Sequence, residues 1–256
     1  MKHTLTLAAW NFRLARRSLL ALWGIFAAQQ TALILWRAAQ ANTTGLGLAS
    51  HYYVMMQIFA YLGFYLLTAL AVGLATHNSR RARSGYTWAT LPGTPGQKFA
   101  AKAITVAAAE LTFTAWQFVW YIVEFYPVTA LEVYRARQLH GAALPPASLY
   151  EQLVANNLFS RLLPRRPLQL VILLGILALS ALLLAALDTV RGWRKLPVFA
   201  VGLLCAWQCF YLGTVEQHPE WMFISASRNV TMALAAVLAV LTVWWAVRSI
   251  RRGETA

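Results

Sequence analysis

The sequence predicts an all-α integral membrane protein: six transmembrane helices, both termini cytoplasmic, and an amphipathic interfacial helix at the amino terminus. Three observations lead there. Of 256 residues, 59% are hydrophobic and 12% charged, about half the charged share of an ordinary soluble domain. The apolar residues gather into six runs, each long enough to cross about 30 Å of hydrocarbon at about 1.5 Å per helical residue. The charges mark the ends of those runs, because Glu110 and Glu124 alone fall inside one. The run Leu-Val-Ile-Leu-Leu-Gly-Ile-Leu-Ala-Leu beginning at Leu170 lacks the alternation of a barrel strand. The net charge of +14 is not a stripe on a polar domain, so nucleic acid is not expected as a partner. The apolar fraction excludes disorder, and two cysteines exclude a disulfide framework.

The chain is read as a single transmembrane domain, 1–256. Residues 1–17 are expected to form a helix lying on membrane lipids, with Lys2, Arg13, Arg16 and Arg17 on one arc and Leu5, Leu7, Trp10, Phe12 and Leu14 on other faces. The expected spans are 18–36, 52–76, 103–126, 168–187, 196–215 and 229–247. The first run ends near Ala39-Gln40-Ala41, a small-x-small pattern, but it has the length of a span and is expected to stay uncleaved. Fifteen Lys and Arg lie on the side of the termini against seven on the other, which places the termini in the cytoplasm. Tyr52, Tyr53, Trp120, Tyr121, Tyr126, Trp244 and Trp245, at span ends, are expected as interfacial anchors.

Two connections are longer than a reversal of direction needs. The cytoplasmic loop 77–102 carries Tyr86, Trp88 and Leu91, breaks at Pro92-Gly93-Thr94-Pro95-Gly96, and re-enters through Gln97-Lys98-Phe99. Its aromatics suit either a small helix docked in another protein's groove or a segment folded back on headgroups. The external loop 127–167 breaks at Pro145-Pro146, and Leu149, Leu153, Leu158 and Leu162 then recur at helical spacing. That spacing predicts an amphipathic helix, as a lid or as packing.

Polar residues within the spans are the candidate site. Glu110, Gln117 and Glu124, seven apart, share one stripe of the third span. Buried carboxylates are costly there, so the stripe is expected to face protein or water. A proton or cation relay and a structural hydrogen bond both fit Glu110, while Glu124 is expected to be hydrated near the outer interface, beside Arg37 or His51. Tyr53, Gln57, Tyr61, Tyr65 and Thr68 recur at helical spacing, and Gln29, Gln30 and Thr31 lie midway along the first span. Gln29, Gln30, Gln57, Tyr61 and Tyr65 are the expected wall of a substrate path, with an interhelical seam as the alternative.

Cys205 and Cys209 read as buried thiols, and Glu216, His218 and Glu220 as a hydrated turn, so no metal is expected. The sequence holds no P-loop, His-Glu-x-x-His or Gly-x-Ser-x-Gly, so an enzyme is not expected and no residue is assigned as catalytic.

The amphipathic segment Leu7 to Arg17, the six spans and the loop Trp88-Ala89-Thr90-Leu91-Pro92-Gly93-Thr94-Pro95-Gly96-Gln97-Lys98-Phe99-Ala100-Ala101-Lys102 resemble the permease subunits of type-2 exporters of the ATP-binding-cassette class. The resemblance implies that Tyr86, Trp88 and Leu91 couple the chain to a separate ATPase, which would carry the ATP and Mg. It implies a second permease, identical or not, and alternating access; an amphipathic or hydrophobic substrate such as a peptide, drug or lipid suits the expected wall better than a sugar does. A bacterial plasma membrane is the expected location. The longest external loop follows span three, whereas the family commonly has its largest external element between spans five and six, so the substrate class does not carry over. An ion-coupled secondary transporter using Glu110 and a non-transporting scaffold or immunity protein are the alternatives.

Overall fold

The computed structural model describes residues 2–40, 47–75, 92–141, 147–156, 158–162, 167–190, 192–205 and 226–252. Every regular element among them is helical: α1 (Lys2–Gln40), α2 (Gly47–Val54), α3 (Gln57–Ala75), α4 (Pro95–His140), α5 (Leu149–Ala155), α6 (Phe159–Leu162), α7 (Pro167–Thr189), a 3-10 turn (Gly192–Arg194), and α8 (Ala226–Arg251). Residues 195–205 are helical as well. Among the described residues, four helical stretches are long and apolar enough to cross a membrane: Lys2–Gln40, Gln57–Ala75, Pro95–His140 and Ala233–Arg251; Leu173–Thr189 is a shorter apolar stretch. An all-helical membrane protein is thus what the fold supports. Tyr86, Trp88, Leu91, Cys209 and the 216–220 turn lie outside the described residues, as does the second half of the fifth expected span.

Element boundaries differ from expectation in four places, each with a local cause. The interfacial helix and first span are one unbroken helix of 39 residues, about 58 Å long at about 1.5 Å per residue. No proline and a single glycine, Gly24, interrupt its helix-forming sequence. The second span does not start at Tyr52, because α2 ends at Val54 and α3 begins at Gln57. Between them Met56 takes a left-handed φ of 50°, uncommon outside glycine. The expected external segment starts as helix, for α4 continues through Pro127 to His140. A proline removes one ladder hydrogen bond, which a helix with tertiary support tolerates; Val128 and Ala136 beyond it are buried. Gly141, at φ 67°, closes α4 by donating its N–H to the Arg137 carbonyl. Finally, the helix expected through Leu149–Leu162 is two short ones. Ser148 and Glu151 form a reciprocal capping box at the start of α5. Asn156 ends it and accepts from the N–H groups of Leu158 and Phe159 through Oδ1.

The chain divides into two compact units. The first comprises Met1–Arg16, Ala69–Ala109 and Leu174–Ala256. Its core packs Phe99 and Ala103 of α4 against Ala185 and Ala186 of α7, Val190, Val198 and Ala246 of α8. Leu7 and Ala8 of α1 pack against Ala101 of α4, and Thr105 donates to the Ala8 carbonyl at 3.2 Å. The start of α4 is set by Thr94, whose side chain accepts from the Gln97 N–H while its own N–H is met by the Gln97 side chain. Pro95 occupies the first helical position, where its missing N–H costs nothing. His3 hydrogen-bonds the Pro92 carbonyl just ahead of that cap. Lys102 pairs with Asp188 across α4 and α7, and Gly73 of α3 leaves room for that carboxylate.

The second unit comprises Arg17–Thr68 and Glu110–Leu173. Here α1 runs parallel to α4, since Phe26 meets Phe113 while Gln30 meets Gln117. It runs antiparallel to α3, since Trp23 Nε1 donates to Thr68 and Phe26 packs on Phe64. These aromatic contacts form the apolar floor beneath a polar cluster.

Candidate functional site

The stripe of α4 positions the cluster. Glu110, Gln117 and Glu124 are all buried, as the seven-residue spacing requires when one helix face is turned into a bundle. Glu124 is 1% exposed, enclosed by protein and not open to the outer interface as expected. Its Oε2 accepts from Nε2 of Gln30 at 2.8 Å and from the Tyr52 hydroxyl at 2.6 Å, and its Oε1 accepts from Thr31 Oγ1 at 2.8 Å. Those donors are themselves held. Gln117 Nε2 donates to Gln30 Oε1 at 2.8 Å and to the Tyr52 oxygen at 3.3 Å, Gln30 also donates to Tyr52, and Trp120 Nε1 donates to Thr31 at 2.9 Å. Three helices thereby converge on one carboxylate. In an apolar surrounding such bonds order the bundle strongly, because breaking one leaves a buried polar group unmet.

Toward the C-terminal end of α4 a second cluster surrounds Glu132. Its Oε1 accepts the Gly47 N–H at 3.0 Å and lies 2.7 Å from His51 Nε2. The Leu48 N–H is met by Oε1 of Gln152, and the Gln152 carbonyl accepts from the Tyr121 hydroxyl at 3.1 Å. Side chains from α4 and α5 thus satisfy the first turn of α2, whose backbone N–H groups have no partner within their own helix. Gly47 holds φ 70°, and a Cβ there would stand 2.9 Å from the Gln152 side chain. Phe159 closes this end, with ring centroids 4.7 Å from Tyr121 and 4.5 Å from Phe118. Toward the other end, the Tyr61 hydroxyl and Thr114 Oγ1 are 2.7 Å apart, and Tyr61 stacks on Phe113 at 5.3 Å.

The expected site residues therefore separate. Gln30 lies in the Glu124 cluster; Tyr61 pairs with Thr114, and Tyr65 is half-buried with its ring 6.0 Å from that of Tyr61. Gln29 is half-buried beside Gln30 in sequence, and its Oε1 has no partner among the described residues. Gln57 is buried with neither amide atom partnered among the described residues. Glu110 is fully buried one turn before Thr114, whose hydroxyl donates to the Glu110 carbonyl at 2.9 Å. Tyr53 is 71% exposed and leaves the expected stripe, because the break at Met55–Met56 puts it on a different helix from Tyr61.

Two expectations about Glu124 and the anchors are corrected. His51 faces Glu132, so it is not the partner of Glu124. Tyr52 and Tyr121 are buried hydrogen-bond donors and Trp120 bonds Thr31, so these three are parts of the interior; Tyr53, Tyr126 and Trp244 are exposed, as anchors would be. Glu132, Gln152 and Thr114 escaped the sequence reading. The signal available for Glu132 was its companion His51, a second ionisable residue beside an apolar run. Among the described residues no group of His, Cys, Asp and Glu could hold a metal ion. Outside the expected spans, the Glu151 carboxyl is held below its ordinary range by the hydrogen bonds from the Ser148 backbone and side chain.

Comparisons with family models, curated proteins and solved structures give no match.

Proposed function

We propose that the chain is the membrane-spanning permease subunit of an ATP-binding-cassette exporter in a bacterial plasma membrane. In this reading six spans place both termini in the cytoplasm, and a second permease, identical or not, completes the cavity. A separate ATPase, holding ATP and Mg, drives alternating access through Tyr86, Trp88 and Leu91 of the 77–102 loop. The cargo is an amphipathic or hydrophobic peptide, drug or lipid, and the path is lined by Gln29, Gln30, Gln57, Tyr61 and Tyr65.

The observation that carries this reading is the seating of the amino-terminal turns of α1 on the start of α4. His3 bonds the Pro92 carbonyl, Leu7 and Ala8 pack on Ala101, and Thr105 donates to Ala8, where the proposed coupling loop re-enters. Within the second unit the same two helices carry Gln30 and Thr31, and Gln117 and Trp120, around Glu124.

The burial of Glu110 and Glu124 on one stripe favours a second reading, an ion-coupled secondary transporter. Proteoliposomes separate the two. With the cognate ATPase co-reconstituted, the exporter moves a fluorescent amphipathic peptide only when ATP is supplied. Movement driven by an ion gradient in the absence of any ATPase, and lost in Glu110→Gln, would replace the first reading with the second.

A further inference from the structure

Gln57 is the first residue of α3 and is 1% exposed, yet among the described residues neither its Oε1 nor its Nε2 has a hydrogen-bond partner. Buried side-chain amides are nearly always paired, so one with both functions unmet calls for a reason. The chain around it is arranged for more than packing. The helix is broken immediately before it: Met55 and Met56 N–H groups close α2 on His51 and Tyr53, and Phe59 N–H opens α3 on the Met56 carbonyl. Met56 holds its left-handed φ there, a local strain of the kind that clusters at ligand sites. Within a span, a broken helix is tolerated where protein buries it or where it lines a cavity.

The neighbourhood follows from register. With α3 antiparallel to α1 and α1 parallel to α4, α3 runs antiparallel to α4. Gln57 lies one turn, about 6 Å, beyond Tyr61, and Gln117 lies about 4.5 Å beyond Thr114 in the same direction. Since Tyr61 and Thr114 pair, Gln57 stands at the level of the Gln117–Tyr121 turn, above the stacked rings of Tyr61 and Phe113.

A primary amide offers a donor and an acceptor side by side. A metal cation would use the oxygen and leave the N–H unmet, an anion would do the reverse, and an ester offers acceptors alone. Two linear bonds to that pair need a donor and an acceptor on two neighbouring atoms, which the N–H and C=O of one residue in an extended peptide present on the same side. We propose that Gln57 is the recognition contact for an amide-bearing, hydrophobic peptide substrate, held by a reciprocal pair of N–H···O bonds; this rests on the transport reading above and narrows its cargo to peptides.

The test uses the full chain in detergent, wild type and Gln57→Leu, with two probes: acetyl-trileucine amide, and its analogue with the amide between the first and second leucines replaced by an ester. Binding is read by tryptophan fluorescence and stability by thermal unfolding. Wild type is expected to bind the amide about tenfold more tightly than the ester, the ratio for one lost bond of about 1.4 kcal/mol. Gln57→Leu is expected to erase that ratio and, by removing an unmet polar group, to raise the ligand-free Tm by about 2–4 °C. No binding, equal binding of the two probes, or a lowered Tm in Gln57→Leu overturns the proposal; a lowered Tm would mean that an ordered water alone satisfies the amide. Co-purification of an ATPase is scored in the same preparations. Its presence without amide selectivity overturns the peptide site and leaves the exporter standing, and selectivity without an ATPase does the opposite.

Discussion

The Glu124 carboxylate accepts a 2.8 Å hydrogen bond from the Gln30 amide, across 94 residues of sequence. That bond joins α1 to α4, and Tyr52 brings α2 to the same oxygen. The carboxylate is the acceptor on which three helices agree.

Glu124→Ala leaves the donors of Gln30, Thr31 and Tyr52 without their acceptor. We expect a loss of about 3 kcal/mol, the upper end of the scale for leaving buried donors without their acceptor, read by thermal or denaturant unfolding in micelles. Adding Gln30→Ala should cost less than its single-mutant effect, because the shared bond is already gone. Strict additivity would show that the two side chains act separately.

Gly47→Ala meets both an unfavourable φ and the Gln152 side chain, whereas a Cβ at Gly63 meets nothing within 4 Å. We expect Gly47→Ala to destabilise by about 1–3 kcal/mol and Gly63→Ala to be neutral or stabilising by up to about 1 kcal/mol. Equal effects in unfolding experiments would remove the case for a tight α2–α5 contact.

At Gly73 a Cβ would stand 2.7 Å from Asp188 Oδ1, the carboxylate paired with Lys102. Gly73→Ala should displace Asp188 and destabilise by about 1–3 kcal/mol. In an Asp188→Ala background the penalty should largely vanish. If it persists, the clash is not with that carboxylate.

The capping box of α5 has a defined pH response. The folded-state pKa of Glu151 is depressed by the Ser148 bonds, so its contribution is complete above the unfolded carboxyl value, about 4.3, and is lost as pH falls through the lower folded value. Amide exchange protection over Leu149–Ala155, corrected for intrinsic rates, should therefore drop below about pH 4. Ser148→Ala should abolish that dependence, and an unchanged profile in the variant would place its cause elsewhere.

Much of the polar interior was legible because a period survives in sequence: Glu110, Gln117 and Glu124 repeat every seven residues, and all are buried. What the period could not convey was partnership between helices. Tyr52, Trp120 and Tyr121 sit at the ends of apolar runs, where an interfacial ring and a buried donor look alike until a distant Glu124, Thr31 or Gln152 is known to face them. Met55–Met56 gave no warning of a helix break, since neither residue is a breaker, yet Met56, 64% exposed, holds φ 50°. Pro127 gave a false one, because in α4 surrounding contacts outweigh the lost hydrogen bond.

The central proposal is tested most directly by purifying the tagged chain in mild detergent from its native membranes. Wild type is compared with the triple variant Tyr86→Ala, Trp88→Ala, Leu91→Ala. We expect a nucleotide-binding subunit to accompany wild type and to be lost from a triple variant of unchanged thermal stability. Absence of any ATPase from wild-type preparations that retain other transporter complexes would contradict the permease reading.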